Sequence, residues 1–358
     1  MVPDYYRLTA LGGLPVHAFE ELHGWGLARH RVDEAATGAA RWATMWDEVA
    51  AGAPESGTVA WRLETPFDAD IRFGELTDAF FTRIDTTAVR SLVIGHWHHD
   101  YLRYTSETRV VDTLCAHADR LPALRHLAVN DINIDTADMS SIPPTDLTAL
   151  LGAFPRLEEL RYRFGRDQRP EDDERFILRA GHHPALRRLV LETTGMPADL
   201  PRALADSDLP ALTDLELWLG TRHSGGDVGP DDLSGILNPP HPSRLRRLAL
   251  RNAEQADLLA ATVAAGSIAP HLRELDLSLG TLSDAGADAL LDGHPFPRLE
   301  RLTIHHHFLS DHRRRLLQSG YPHTHVDISA PATPYHSEQD PELHYVPDEY
   351  GRHVHFGV

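Results

Sequence analysis

One short phrase recurs seven times and constrains the fold more than any other feature of the chain. It is an apolar residue, His or Pro, usually followed by Pro, then a variable residue and Leu-x-x-Leu-x-apolar. Its first leucines are Leu124, Leu157, Leu186, Leu212, Leu245, Leu272 and Leu299, giving steps of 33, 29, 26, 33, 27 and 27 residues. A period of that length is one supersecondary unit that cannot bury its own apolar face, so copies must stack. A degenerate copy precedes the series at Val89–Ile94 and a weaker one follows at His323–Ile328, while Val59–Leu63 alternates like one more strand.

Between the phrases lie segments with helical spacing. The clearest is Leu282–Gly293, with Ser283 or Asp284 as cap, apolar residues three to four apart and a glycine stop. Asp146–Leu151 and Asp257–Val263 follow the same pattern. The chain is therefore expected to be an α/β leucine-rich-repeat solenoid of about eight to nine repeats, a curved parallel sheet inside and helices outside. Three parts are expected: a capping segment over residues 1–56, the repeat domain over 57–329, and an extended, proline-interrupted tail over 330–358.

The Leu-Ser-Asp-Ala-Gly-Ala-Asp-Ala-Leu stretch from Leu282 and the Leu-x-x-Leu-x-Leu strands resemble the ribonuclease-inhibitor type of repeat. More narrowly, Gly13–Val16, Trp61–Glu64, Leu92–Trp97, Leu215–Thr221, Leu277–Gly280 and His305–Ser310 resemble a mainly actinobacterial family of cytoplasmic leucine-rich-repeat proteins of unassigned function. Members of that family are encoded beside radical-SAM and ATP-grasp-like proteins. The resemblance thus implies, as an alternative role, an accessory component of a peptide- or metabolite-modifying system.

On each strand the positions flanking the second leucine alternate away from the core and form a wall. In the early copies these are small or weakly polar: Ser91, Val93 and Gly95, then His126, Ala128 and Asn130. Later copies are charged, and the candidate partner-binding residues are Glu159, Arg161, Arg163, Arg188, Asp214, Glu216, Trp218, Arg247, Arg251, Glu274, Asp276 and Arg301. Two readings stay open: lateral pairing of charges between neighbouring strands, or recognition of a partner. Trp218 has the composition of an interface anchor, unless the glycine-rich loop Gly220–Pro230 folds over it.

Composition narrows the partner. The formal net charge is −19, 34 cations against 53 carboxylates, and there is no lysine, so every fixed cation is an arginine. Nucleic acid and anionic membrane are unfavourable partners for such a surface, and lysine-dependent Schiff-base or P-loop chemistry is removed. No catalytic motif is present, so the expected function is a non-enzymatic scaffold whose partner is a protein or peptide. Absence of a signal-like or membrane-length apolar segment gives a cytoplasmic expectation. The single cysteine, Cys115, rules out an intramolecular disulfide.

Histidine supplies the remaining chemical question, with 24 in the chain. His305, His306 and His307 form a candidate site for a transition metal such as zinc, the alternative to no cofactor at all. Consecutive residues leaving a strand project in different directions, which counts against a shared ion. His96–Asp100 and the tail histidines His336, His344, His353 and His355 are further clusters.

Overall fold

The computed structural model describes residues 7–19, 43–65, 72–97, 110–132, 139, 142, 144–165, 178, 181–241, 243–292 and 295–332. His98, His99, Asp100, Trp42 and the tail from residue 333 lie outside the described residues.

The described residues form a single sheet of twelve strands in strict sequence order. Its strands are β1 (Ala10–Leu11), β2 (Leu14–Ala18), β3 (Ala60–Leu63), β4 (Ser91–Ile94), β5 (His126–Val129) and β6 (Glu159–Phe164). They continue as β7 (Arg188–Thr193), β8 (Asp214–Gly220), β9 (Arg247–Ala253), β10 (Glu274–Asp276), β11 (Arg301–Thr303) and β12 (His325–Asp327). Among the described strands every pairing from β2 to β12 is parallel, and the β1–β2 hairpin is antiparallel. The seven clean phrases are β5 to β11, the degenerate copies are β4 and β12, and Val59–Leu63 is β3. The fold is therefore an open, curved α/β solenoid, with helices connecting the strands on the outside.

The phrase sets the register. Leu127, Leu160, Leu189, Leu215, Leu248, Leu275 and Leu302 are mutual partners across successive strands. All are buried at 2% exposure or less, so the row is a continuous leucine spine between sheet and helices. At about 1.5–3 kcal/mol per buried leucine, this spine is the main reason the repeats fold as one body.

The helices lock repeat to repeat through side chains. Asp257, in the first turn of the helix Ala256–Ala265, accepts from the backbone N–H of Ser283 and of Gly286 and from the Ser283 hydroxyl, capping the next helix, Asp284–Leu291. Asp284 takes the Ser310 N–H one repeat further on. The caps expected at Ser283 and Asp284 are thus built partly by the preceding repeat. Gly286 serves the same junction, since a Cβ there would meet Asp257 Oδ1 at 2.7 Å.

At the amino-terminal end, Trp61, Phe80 and Phe19 pack edge to face with ring centroids 5.2–6.4 Å apart. Trp46, in the helix Ala43–Ala51, is fully buried in the same core. The sheet begins earlier than residue 57, because β2 pairs with β3 as an ordinary parallel strand.

Candidate functional site

The β1–β2 hairpin decides which part of the inner wall stays open. Gly12 and Gly13 join Leu11 to Leu14 with φ of +60° and +76°, the two-residue turn that suits a twisted hairpin. The hairpin lies against the inner face of the early strands, where Leu11, Ala60, Val93 and Ala128 form a small second core with Leu8, Leu14 and Val16 against it. Gly12 sits so close to the sheet that a Cβ would meet Nδ1 of His126 at 2.2 Å. Val93, read from the sequence as a wall position, is therefore floor for the hairpin, and Ala128 is shared between that floor and the edge of the cavity beyond it.

Polar anchors fix the hairpin's edge. Arg62, 4% exposed, pairs closely with Asp131, and its Nη2 donates to the Leu8 carbonyl at 3.1 Å. Asp131 also accepts the Leu8 N–H at 2.9 Å, and Arg7 makes a two-pronged contact with Glu64 at 2.8 Å. This network surrounds a desolvated arginine with acceptors, the condition for a stable buried ion pair.

Beyond the hairpin a cavity of about 300 Å³ opens on the wall. Its lining runs from Arg7 and Leu8 on the hairpin, over Asn130 and Asp131, to Arg161, Arg163, Arg188, Glu192, Glu216, Trp218, Arg247 and Arg251. Of the twelve candidate partner-binding residues, it brings together seven: Arg161, Arg163, Arg188, Glu216, Trp218, Arg247 and Arg251. Glu159, Asp214, Glu274, Asp276 and Arg301 lie on the same wall outside the lining.

Two rows organise the charges. In the first, Glu159, Arg188, Asp214, Arg247, Glu274 and Arg301 are direct register partners with strictly alternating sign. In the second, Glu216 faces Val190 and Ala249, so its carboxylate is reached diagonally by arginines of the neighbouring strands. Arg247 Nη2 donates to it at 2.8 Å, Arg251 Nη1 at 3.0 Å and the Trp218 indole N–H at 3.0 Å, with Arg188 at 4.0 Å. Burial opposes ionisation of Glu216, but Arg251, Arg247 and the indole hydrogen bond outweigh it and hold the carboxyl well below the usual carboxylate range.

Lateral pairing is thus real for Glu216, and also for Glu159, which accepts from Arg161 Nε at 2.9 Å and lies 3.4 Å from Arg188 Nε. Arg163 is committed to Glu192 and to the Ile132 carbonyl. Asp214 behaves differently: its carboxylate accepts from the adjacent Thr213 hydroxyl at 2.6 Å. Trp218 is on the wall, as read, but it is not an exposed anchor. It is 2% exposed, with the Arg251 guanidinium over its ring at 4.7 Å. The stacked arginine is part of its cover.

Pairing reaches every arginine of the lining. Arg7 meets Glu64, Arg161 and Arg188 share Glu159, Arg163 meets Glu192, Arg247 lies between Glu216 and Glu274, and Arg251 between Glu216 and Asp276, all within 4.0 Å. Arg161 stays firmly protonated, because Glu192 and Glu159 offset the cost of its burial. Arg188 is the stressed member: burial, then repulsion from Arg161 and Arg247, pull its pKa below the ordinary arginine value despite Glu159 and Glu216. Arg188 Nε and Arg247 Nη1 are buried nitrogens with no hydrogen-bond partner.

The histidine triplet does not converge. His305 is on the wall, where burial and the charge of Arg251 lower its pKa. His306 turns away with φ of +55° and sets Nδ1 3.3 Å from the Gly280 carbonyl. His307 is fully buried, sets Nε2 2.9 Å from the Ile328 carbonyl and accepts the Leu309 N–H at Nδ1. Both its ring nitrogens are used by backbone, which fixes a neutral tautomer. No group of three His, Cys, Asp or Glu suited to a metal occurs among the described residues. Cys115, in the helix Val110–Ala116, is half-buried against the main core, and burial pushes its thiol pKa up.

No protein-family model and no curated protein matches the chain. Among solved structures it is similar to a Bacteroides fragilis protein whose crystal structure was determined by the Northeast Structural Genomics Consortium. The TM-score is 0.68 at 21% identity, covering 77% of this chain and 76% of that one. A likeness at that identity carries the fold alone. No described helix is long and apolar enough to cross a membrane.

Proposed function

We propose that the chain is a non-enzymatic binding scaffold that holds a protein or peptide on the open part of its inner wall. The observation behind this reading is the break in the wall: the hairpin covers β3 to β5, while β6 to β9 present a cavity lined by oriented arginines. Carboxylates and an indole hold those guanidiniums in place, so little side-chain freedom remains to be lost on binding. Trp218 contributes by fixing Arg251, and Glu216 by tying strands β8 and β9 together at the floor. A cytoplasmic setting and membership of the actinobacterial repeat family belong to the same proposal.

The test is capture with full-length chain as bait in extracts of its native host, against Arg161→Glu/Arg188→Glu. The expected result is at least a tenfold loss of specific captured proteins, since like charge set against a complementary contact costs several kcal/mol. An unchanged capture profile would overturn the wall as the binding site.

A further inference from the structure

The first segment of the hairpin, Arg7–Leu11, lies on the wall in the manner of a bound peptide. It is gripped at Leu8 by its main chain: the Leu8 N–H donates to Asp131 Oδ2 at 2.9 Å, and Arg62 Nη2 donates to the Leu8 carbonyl at 3.1 Å. Both gripping side chains are buried, Arg62 on β3 and Asp131 two residues past β5. A hold on the N–H and the C=O of one residue reads extended backbone, and the pockets beside it read side chains. Here Glu64 takes Arg7 in a two-pronged pair, while Leu8 and Leu11 rest on the cluster of Ala60, Val93 and Ala128.

This arm differs from the body it lies on. Its apolar seat is a cluster distinct from the main core. Its two-residue strand pairs with β2 alone, and Arg7, Thr9, Ala10, Gly12 and Gly13 are exposed on its outer side. The grip is balanced without it, because Arg62 pairs with Asp131 and Glu64 in any case. An empty seat therefore strands no buried charge.

We infer that Arg62, Asp131, Glu64 and the seat at Val93 are a peptide-binding site that Arg7–Leu11 occupies in cis. Its ligand in trans is an extended segment of a partner protein with a basic residue, an aliphatic residue next to it and a second aliphatic residue three positions further on. The arm displays that pattern as Arg7, Leu8 and Leu11. Arg7, Leu8, Ala128 and Asp131 also line the cavity, so the seat is continuous with the open wall. The inference concerns the covered half and stands apart from the proposal for the open half.

Fluorescence anisotropy on the full chain tests it, with a labelled, end-blocked peptide of residues 7–13, Arg-Leu-Thr-Ala-Leu-Gly-Gly. Leu11→Asp unseats the chain's own arm and leaves the grip intact. It is expected to bind the peptide at least tenfold more tightly than the wild-type chain, since a seat occupied in cis lowers apparent affinity by the fraction of time it is open. Adding Asp131→Ala is expected to cost at least tenfold of that affinity. Methylating the peptide nitrogen that corresponds to Leu8 removes the donated N–H and is expected to do the same, a loss that non-specific apolar adhesion would not show. Should Leu11→Asp fail to fold, Leu8→Ala/Leu11→Ala loosens the arm without adding a charge and carries the same expectations.

The inference is overturned if the loosened chain binds the peptide no more tightly than about 1 mM, if the wild-type chain binds it equally well, or if binding survives Asp131→Ala or the methylated nitrogen. A wild-type dimer that Leu11→Asp dissolves would give the seat to the arm of a second copy and overturn the partner segment. Capture that depends on Arg161 and Arg188 while the peptide fails overturns this inference and leaves the open-wall proposal intact.

Discussion

The two halves of the inner wall share one backbone geometry and differ in what their side chains require. Along the second row, Arg62, Val93 and Ala128 lie on β3 to β5, and Arg161, Val190, Glu216, Ala249 and Asp276 continue it over β6 to β10. In the first half the row is a dry seat for the hairpin. In the second it alternates small residues with charged ones, and the small ones give the long arginines of neighbouring rows room to lie down. A strand repeat fixes where side chains point, and the residue chosen at each outward position decides whether the wall is covered or left open.

The largest expected effect comes from placing a charge in the covered half. Val93 is fully buried between sheet and hairpin, so Val93→Asp strands an unpaired carboxylate and is expected to cost about 3–5 kcal/mol. Chemical denaturation with hairpin-specific proteolysis as a second readout checks it. A loss below about 1 kcal/mol would mean that the hairpin lifts off at little cost, and the contrast between halves would collapse.

Removing the central carboxylate of the open half is expected to rank next. Glu216→Gln keeps the shape but leaves Arg188, Arg247 and Arg251 facing one another. Because those arginines are 14–32% exposed, the full buried-pair penalty does not apply and a cost of about 2–3 kcal/mol is expected. The pH dependence has a definite sign. Glu216 has a folded pKa below its unfolded one, so its stabilisation is fully present above the ordinary carboxylate pKa of 4.5 and is lost progressively as pH falls below it. The variant is therefore expected to show a shallower loss of stability on acidification from pH 5 downward, and parallel curves for variant and wild type would remove Glu216 from that role.

Much of this was legible in the sequence, and the rest was hidden for identifiable reasons. Phrase spacing located nine strands because Leu-x-x-Leu-x-Leu ties register to composition, and sheet alternation placed Arg161, Glu216 and Arg251 on the wall. The turn is present in the sequence as Leu11-Gly12-Gly13-Leu14, but Val93 and Ala128 read there only as outward wall positions, with nothing to say that they are covered. Nothing local says that β2 pairs with β3 and brings one to the other, since that contact spans more than forty residues. Trp218 misled for a related reason: facing the wall is a backbone property, whereas exposure depends on side chains that arrive from elsewhere, the Arg251 guanidinium one strand away among them. The histidine triplet separated because His306 adopts a left-handed φ that rotates its neighbours apart.

The smallest effects sharpen the comparison most, because they isolate contact from conformation. Gly12 and Gly13 both have positive φ, so alanine at either pays about 1 kcal/mol of backbone strain. Only Gly12 presses on the sheet; a Cβ at Gly13 would meet nothing within 4 Å. Gly12→Ala must also push the His126 ring aside, and is expected to cost about 1–2 kcal/mol more than Gly13→Ala. Arg301→Ala, at the exposed end of the alternating row, is expected to change stability by less than about 0.5 kcal/mol. Equal losses at the two glycines, measured by urea midpoint at constant slope, would show that the turn is held by its own φ values and not by the seat beneath it. The covered half would then owe its dryness to Leu11 and Val93 alone, and the boundary of the open cavity would have to be drawn from Arg62 and Asp131 instead of from the hairpin tip.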